Sequence, residues 1–356
     1  LELIAQRVER ALFKCKRGSG RDQFKSCLRS RLSGSLHRKR ERLVGLFSAE
    51  VRAVVRRIDL DGSGGDRVAY IRRDRLFRRL DHGRITAGVR HHNMASAAGG
   101  LSERYRGNDG SGKRLAVTRR DILAYAAVRM PATFGAVSRA LSLALECIPE
   151  EERTFRTVLD IGAGTGAATH AAAAVAECGG FTCMEREPEM ISLGRQLTES
   201  CGIPAEWVSG DITAGYTGSA ELVLCSYCLN ELTESARKFA VERLWQSTQK
   251  LLLIVEPGTP EGYARILRAR EQLIGLGADI AAPCPGVAEC PLPEGDWCHF
   301  TARVSRSRLH KQLKGGDVPY EDEKFCFIAA SRVGVSPCAA RILRHPRVDS
   351  GRITLE

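Results

Sequence analysis

The chain has 356 residues, 43% of them hydrophobic, and a formal charge of +12. That length and apolar content suit one large or two medium folded domains rather than a disordered chain, and no run approaches the roughly 18–20 apolar residues that span a bilayer, so no membrane partner is expected. Thirteen cysteines in a chain this long do not describe a secreted disulfide scaffold; most are expected to be small buried hydrophobes in a reducing compartment.

Residues 1–60 hold sixteen Lys and Arg against six Asp and Glu. A basic end of this kind suits a polyanionic partner, or is a solvated tail. Glu2, Glu9, Asp22 and Glu41 weigh against a mitochondrial targeting segment, which is poor in acids, and no apolar stretch follows to make a signal peptide. Leu1, Ile4, Val8, Leu12 and Phe13 predict a helix over 1–16. A second helix, over about 38–58, follows from the spacing of Leu43, Leu46, Phe47, Val51, Val54 and Val55. DGSGGD at 61–66 and GNDGSGK at 107–113 are turns or linkers. Thr118 is the expected N-cap of a helix containing DILAYAAVRM, interrupted at Pro131, with a further helix over about 133–146.

From residue 155 the pattern changes. TFRTVLDIGAGTG is a β-branched apolar run ending in glycines, HAAAAVAEC a helix, GFTCMERE a strand and PEMISLGRQLTES another helix. AEWVSGDI, ELVLCSYCLNEL and KLLLIVEPG supply three more strands. Strands alternating with helices predict a mostly parallel sheet covered on both faces.

Strand one ends at Asp160, and Gly162, Gly164 and Gly166 follow. Glycines there allow a tight turn and close approach of backbone to a ligand at the end of the sheet. Glu185, at the end of the next strand, is placed to accept both hydroxyls of a ribose. Asp211, ending the third, is placed to approach an adenine. The plainer alternatives are a surface acid at Glu185 and a turn cap at Asp211. A nicotinamide enzyme favours GxGxxG, and a Walker loop needs GK[ST], which is absent. The apolar-D-x-G-x-G-x-G stretch instead resembles motif I of the class I S-adenosylmethionine-dependent methyltransferases. The expected fold is therefore α/β and Rossmann-like, of that methyltransferase type, with a helical N-terminal region and a C-terminal cysteine-rich metal-binding insertion.

Methyl transfer needs an acceptor held in line and few polar groups. Amine methyltransferases carry Asn/Asp-Pro-Pro-aromatic after the fourth strand; here the chain reads CSYCLNEL, without the prolines. Asn230 and Glu231 are weak catalytic candidates, and Cys225 and Cys228, in an apolar strand, are expected as core packing rather than as nucleophiles.

CPGVAECPLPEGDWCHF at 284–300 places Cys284, Cys290 and Cys298 among Pro283, Pro285, Pro291 and Pro293. Prolines limit the loop's freedom and lower the entropy cost of bringing thiolates to one centre. Thiolates suit both zinc and iron–sulfur clusters, and the spacing matches neither a zinc finger nor a ferredoxin; separate packed cysteines are the alternative. His299 is a fourth-ligand candidate under tight geometry, being adjacent to Cys298, and Cys326 and Cys338 are more distant candidates. Arg303, Arg306, Arg308, Lys311 and Lys314 are expected on a short helix after this loop, and Arg344 and Arg347 crowd the C-terminal segment. They suit RNA phosphates, with Trp297 or His299 stacking on an unpaired base; a solvated basic face is the alternative.

VLDIGAGTG, CLNEL, VEPGTPEGYARILRAR, APCPGVAECPLPEGDWCHF, EDEKF and RILRHPR form an ordered series. It resembles the methyltransferase-like proteins of mitochondrial small-ribosomal-subunit assembly and their bacterial homologues, over residues 97 to 356; residues 1–90 carry no such likeness. The resemblance implies an assembly factor that binds small-subunit ribosomal RNA and the pre-small-subunit particle. It implies S-adenosylmethionine as ligand and a [4Fe–4S] cluster (zinc the alternative) on Cys284, Cys290 and Cys298. The family's fourth ligand lies after the segment matching RHPRVDSGRITLE, leaving Cys326 or Cys338 as substitutes in these residues. Its members' methyl transfer differs between lineages, so an active RNA methyltransferase and a non-enzymatic ribosomal component stand as the other readings. It places the protein in the mitochondrial matrix of a eukaryote or the cytoplasm of a bacterium, monomeric away from the ribosome. The expected organisation is a basic extension over 1–90, a helical region over 91–150, the core over 151–275, and a cluster module over 276–356 that partly completes the sheet.

Overall fold

The computed structural model describes residues 118–214, 218–284, 286, 289–314, 318–335, 347–349 and 352–354. The helices expected at 1–16 and 38–58 and the breaks at 61–66 and 107–113 lie outside these residues, as do Cys338 and Arg344. The chain divides into units of 1–67 and 68–356, and every described residue belongs to the second.

Helix α1 spans Arg119–Val128. Thr118 caps it in a reciprocal pair: its hydroxyl accepts from the Asp121 N–H and its own N–H donates to the Asp121 carboxylate. Helix α2 spans Met130–Glu146. The break therefore falls at Arg129, ahead of Pro131 and of the start expected at 133. Pro131 sits in the first turn of α2, where a missing N–H costs no helical hydrogen bond.

Eight strands and five further helices follow among the described residues. They are β1 (Thr154–Ile161), α3 (Ala167–Val175), β2 (Glu177–Glu185), α4 (Pro188–Cys201), β3 (Ala205–Ser209), β4 (Ala220–Ser226) and α5 (Glu234–Ser247). Then come β5 (Thr248–Pro257), α6 (Pro260–Gly275), β6 (Asp279–Ala282), β7 (Phe300–Ser305), α7 (Arg308–Lys314) and β8 (Tyr320–Ser331). The sheet order is β3-β2-β1-β4-β5-β8-β6, with β7 also paired to β8. Strands β1 to β5 run parallel; β8 lies antiparallel between β5 and β6. This is the α/β, Rossmann-like methyltransferase-type arrangement. Strand order reverses between β1 and β4, which opens a crevice beyond the C-terminal ends of those strands. A short hairpin pairs β9 (Arg347–Asp349) with β10 (Arg352–Thr354).

Side chains alternate across the sheet, so Val158 and Leu159 enter different cores. On one face α2 and α3 pack over Phe155, Phe181, Phe325 and Phe327. On the other, α5 and α6 pack over Leu252 and Ile254. A third cluster joins α1, α4 and α7 through Leu123, Met190, Leu193 and Leu309. Burying each such side chain stabilises by about 1.5–3 kcal/mol. Strand β8 supplies Phe325 and Phe327 to one face and Ile328 to the other, so the C-terminal segment is part of the core sheet.

Candidate functional site

The glycine loop leaves β1 with Gly162, Gly164 and Gly166 all at positive φ, between 56° and 87°. Gly162 and Ala163 both donate their N–H to the Met184 carbonyl, at 3.0 and 3.1 Å. Gly164 donates to Glu185 Oε2 at 2.8 Å, while Glu185 Oε1 accepts from the backbone of Arg186 and Glu187. Three amides thus orient one nearly buried carboxylate at the crevice edge. A Cβ at Gly162 would stand 2.8 Å from Cys228 Sγ, so the loop is wedged against the turn after β4.

The crevice encloses about 830 Å³, its open mouth included. Gly162, Gly164, Glu185, Asp211 and Glu231 line it, bringing five of the expected residues together. Asp160 and Gly166 stand behind that wall. Asp160 is fully buried and its Oδ2 accepts from the N–H and hydroxyl of Thr169, which ties β1 to the start of α3. Burial, only partly offset by Thr169, pushes its carboxyl up to about 6. Gly166 is the left-handed cap of α3, and its carbonyl accepts from His170 Nδ1 at 2.7 Å. Asp211 does cap a turn: Oδ1 accepts from the Thr213 N–H and hydroxyl, and the residue still faces the crevice.

Several members of the site went unnoticed in the sequence. Arg186 reaches Glu187 at 3.5 Å, Asp211 at 3.9 Å and Glu231 at 3.5 Å. Tyr125 of α1 lines the opposite wall, near Gly164; burial pushes its hydroxyl up to about 12. Burial also raises Glu231 to about 7, against the pull of Arg186 and with the help of Glu185. Its neighbour Asn230 has a buried Oδ1 without a hydrogen-bond partner among the described residues.

Strand β4 ends in a turn at Tyr227, whose φ of 55° is left-handed despite its side chain. The Tyr227 hydroxyl donates to Glu323 Oε1 at 3.0 Å, and Arg129 Nη2 donates to the same oxygen at 3.3 Å. Glu323 is the third residue of EDEKF, so that segment clasps the α1–α2 junction to the turn after β4. Deeper, Glu256 is completely buried and accepts from Arg265 Nε at 2.8 Å. Burial nonetheless raises its carboxyl. Cys225 is core, as expected, whereas Cys228 lines the crevice. A hydrogen bond that the Cys225 thiol donates to Cys228, together with burial, holds that thiol well above its ordinary range, which leaves it a poor nucleophile.

Among the described residues, no three His, Cys, Asp or Glu side chains are arranged to hold a metal ion. Cys290 Sγ lies 3.1 Å from the Tyr263 hydroxyl, and the Cys326 thiol donates to the Cys298 carbonyl at 3.0 Å. As placed, Cys284, Cys290 and Cys298 do not fit a cluster. Trp297 and His299 stack on each other, their centroids 5.8 Å apart, and Trp297 Nε1 donates to the Gly258 carbonyl.

The cations after this loop are not all on a helix. Arg303 lies on β7 and makes a bidentate pair with Asp322 at 2.7 and 2.8 Å, its guanidinium over the Tyr320 ring. Arg306 and Lys314 both donate to Glu321, at 3.4 and 2.6 Å, and the buried His310 stands 3.1 Å from it. Burial opposes ionisation of Glu321, yet His310 and Lys314 hold its carboxyl well below the usual range. Arg306 is only 17% exposed, so it is no free surface cation. Arg308 and Lys311 lie on α7 and Arg347 opens β9.

No described helix is long and apolar enough to cross a membrane. A family model described as "Mitochondrial small ribosomal subunit Rsm22" matches residues 119–356. The human protein "Ribosome assembly protein METTL17, mitochondrial" is 27% identical over 208 residues, 53% of this chain; the match spans 45% of that protein's length. Among solved structures, a putative RNA methyltransferase PH1948 from Pyrococcus horikoshii aligns at 14% identity and a TM-score of 0.39, over 56% of this chain and 84% of its own. Magnesium protoporphyrin IX methyltransferase from Synechocystis PCC 6803, with bound SAM, aligns at 14% identity and 0.38, over 69% and 99%.

Proposed function

The chain belongs to the Rsm22 family, and on that premise we propose that it is an assembly factor of the small ribosomal subunit that binds ribosomal RNA through a methyltransferase-type fold. Its place is the mitochondrial matrix, or the cytoplasm of a bacterium. The observation that carries a binding role over ordinary amine methylation is the clasp of Arg129, Glu323 and Tyr227. It ties the end of β4 into the framework at the position where an amine methyltransferase carries its two prolines.

The lining of the crevice suits an adenosyl ligand. Glu185 supplies acceptors for the ribose, Asp211 faces the base, and Gly162 and Gly164 let the backbone come close. S-adenosylmethionine is the ligand that suits this donor set, and it would supply an activated methyl group when bound. The second reading, an active RNA methyltransferase, is favoured by Glu231, a crevice carboxyl raised to about 7 and so suited to accept a proton near neutrality.

A [4Fe–4S] cluster on Cys284, Cys290 and Cys298, with zinc the alternative, belongs to this proposal through loop composition and family likeness. Among the described residues these side chains do not form a group that could hold a metal ion. RNA contact is assigned to the basic C-terminal module, with Lys311 the chosen probe because Arg303, Arg306 and Lys314 are held in ion pairs with Asp322 and Glu321.

Binding of purified protein to small-subunit ribosomal RNA tests the main claim. Affinity should fall steeply with salt, because each phosphate contact releases counterions, and Lys311→Glu should weaken it. Binding indifferent to salt and to Lys311→Glu would remove the basic module as the RNA surface. Saturable binding of S-adenosylmethionine, abolished in Gly164→Arg, tests the crevice; no binding by the unaltered protein would end the cofactor assignment.

A further inference from the structure

One carboxylate suffices to hold a ribose, yet this crevice carries four. Glu185, Glu187, Asp211 and Glu231 line it, and Arg186 is the one cation among the described lining residues. That single guanidinium is shared: it lies within 3.5–3.9 Å of Glu187, Asp211 and Glu231. Glu185 is oriented by backbone amides, which carry no net charge. The remaining groups facing Glu231 do not repair the imbalance. Glu256 behind it on β5 is another acid, and Tyr125 from α1 and Tyr227 and Cys228 from the β4 turn are neutral donors. Arg129, the next guanidinium in the sheet-end network, is committed to Glu323.

An excess of carboxylates repels phosphorylated nucleotides and attracts a cation. The adenosyl ligands differ in this respect. S-adenosylmethionine bears a sulfonium and is a net cation. S-adenosylhomocysteine, left after the methyl group departs, is a thioether and neutral overall. We propose that this crevice selects its adenosyl ligand by charge, holding the sulfonium form more tightly than the thioether, with Glu231 the carboxylate most responsible. The inference rests on the adenosyl reading of the crevice and extends it. Glu231 is the natural reader because it belongs to the turn after β4, beside Cys228 and Gly162, and because burial and neighbouring acids already disfavour its ionised form. A bound cation relieves that repulsion. A protein with this preference escapes occupation by the product of methyl transfer and remains loaded with the charged ligand.

Calorimetric titration of the full chain with S-adenosylmethionine, S-adenosylhomocysteine and sinefungin tests it. Sinefungin places an ammonium where the sulfonium would be and lacks the transferable methyl, so it separates charge from methyl-group shape. The two cations are expected to bind about tenfold more tightly than the thioether at low salt, the order of one partly screened charge interaction. The gap should narrow as salt rises. Glu231→Gln should cost the two cations several-fold and leave the thioether within about twofold. Thioether binding as tight as the cations, or an equal shift of all three ligands in Glu231→Gln, overturns the charge inference while the adenosyl assignment survives. Binding of none of the three overturns both. The ligand order and salt response of the unaltered protein decide the matter even where the variant folds poorly.

Discussion

Gly162→Ala tests how the crevice is held together. The new methyl meets two separate penalties. The backbone at Gly162 has φ +69°, a left-handed conformation that costs a residue with a Cβ about 1–2 kcal/mol. The Cβ would also stand 2.8 Å from Cys228 Sγ and 3.1 Å from Cys228 Cβ. Rotating the thiol aside relieves the first contact and not the second, so the turn after β4 must shift, an overpacking cost of about 1–3 kcal/mol. The expected loss is about 2–5 kcal/mol, a large part of the roughly 5–15 kcal/mol that holds a folded chain together. Gly164→Ala is the internal comparison. Its φ is +56°, but its Cβ would meet nothing nearer than the Tyr125 hydroxyl at 3.7 Å, leaving only the backbone cost of about 1–2 kcal/mol. Urea unfolding of both variants measures the difference, provided the slope with denaturant is unchanged. Cys228→Ala in the Gly162→Ala background should recover the part of the steric cost due to Sγ, leaving the Cβ contact at 3.1 Å, with a coupling of about 1 kcal/mol. Equal losses at the two glycines, or no coupling to Cys228, would refute the wedged-loop account.

Three other outcomes are expected. Burial raises Asp160 to about 6, above its ordinary value, so its contribution to stability is fully present below about pH 4 and lost as pH rises through 6; the span is about 3 kcal/mol, and pH-dependent unfolding of Asp160→Asn should lack it. Glu323→Ala strands the Arg129 guanidinium, and because Arg129 keeps 28% exposure the cost should be about 2 kcal/mol rather than the roughly 3–5 of a wholly buried pair; hydrogen exchange should quicken at the α1–α2 junction. Gly194→Ala would place a Cβ 2.1 Å from the Trp207 ring, so it should cost about 1–3 kcal/mol and break the Trp207 Nε1 to Thr198 hydrogen bond of 3.1 Å, read by the loss of that indole proton's exchange protection.

The glycine loop was legible because its signal is local: spaced glycines, a strand before and a helix after. Glu185 and Asp211 followed from their places at strand ends. Arg186 was not legible, although it stands next to Glu185, because its partners come from the ends of β3 and β4. EDEKF stood out as a motif, but the task of Glu323 depends on Arg129 and Tyr227, 194 and 96 residues away. The basic run after the cysteine loop hid a period-two pattern. Ala302 and Val304 point inward while Thr301, Arg303 and Ser305 face out, so Arg303 lies on a strand and not on the expected helix. The same run masked the acids of β8, which neutralise Arg303, Arg306 and Lys314 across the hairpin. Helix α2 began earlier than expected because Pro131 acts as a first-turn residue and not as a breaker.

Engagement of small-subunit ribosomal RNA by this chain is what we propose. The most direct measurement is crosslinking of the protein to RNA in cells of its own source, followed by recovery and sequencing of the bound RNA. Strong enrichment of small-subunit ribosomal RNA is expected, concentrated in a few segments and reduced by Lys311→Glu. Recovery of other RNAs alone, or enrichment no greater than that of an unrelated basic protein, would contradict it.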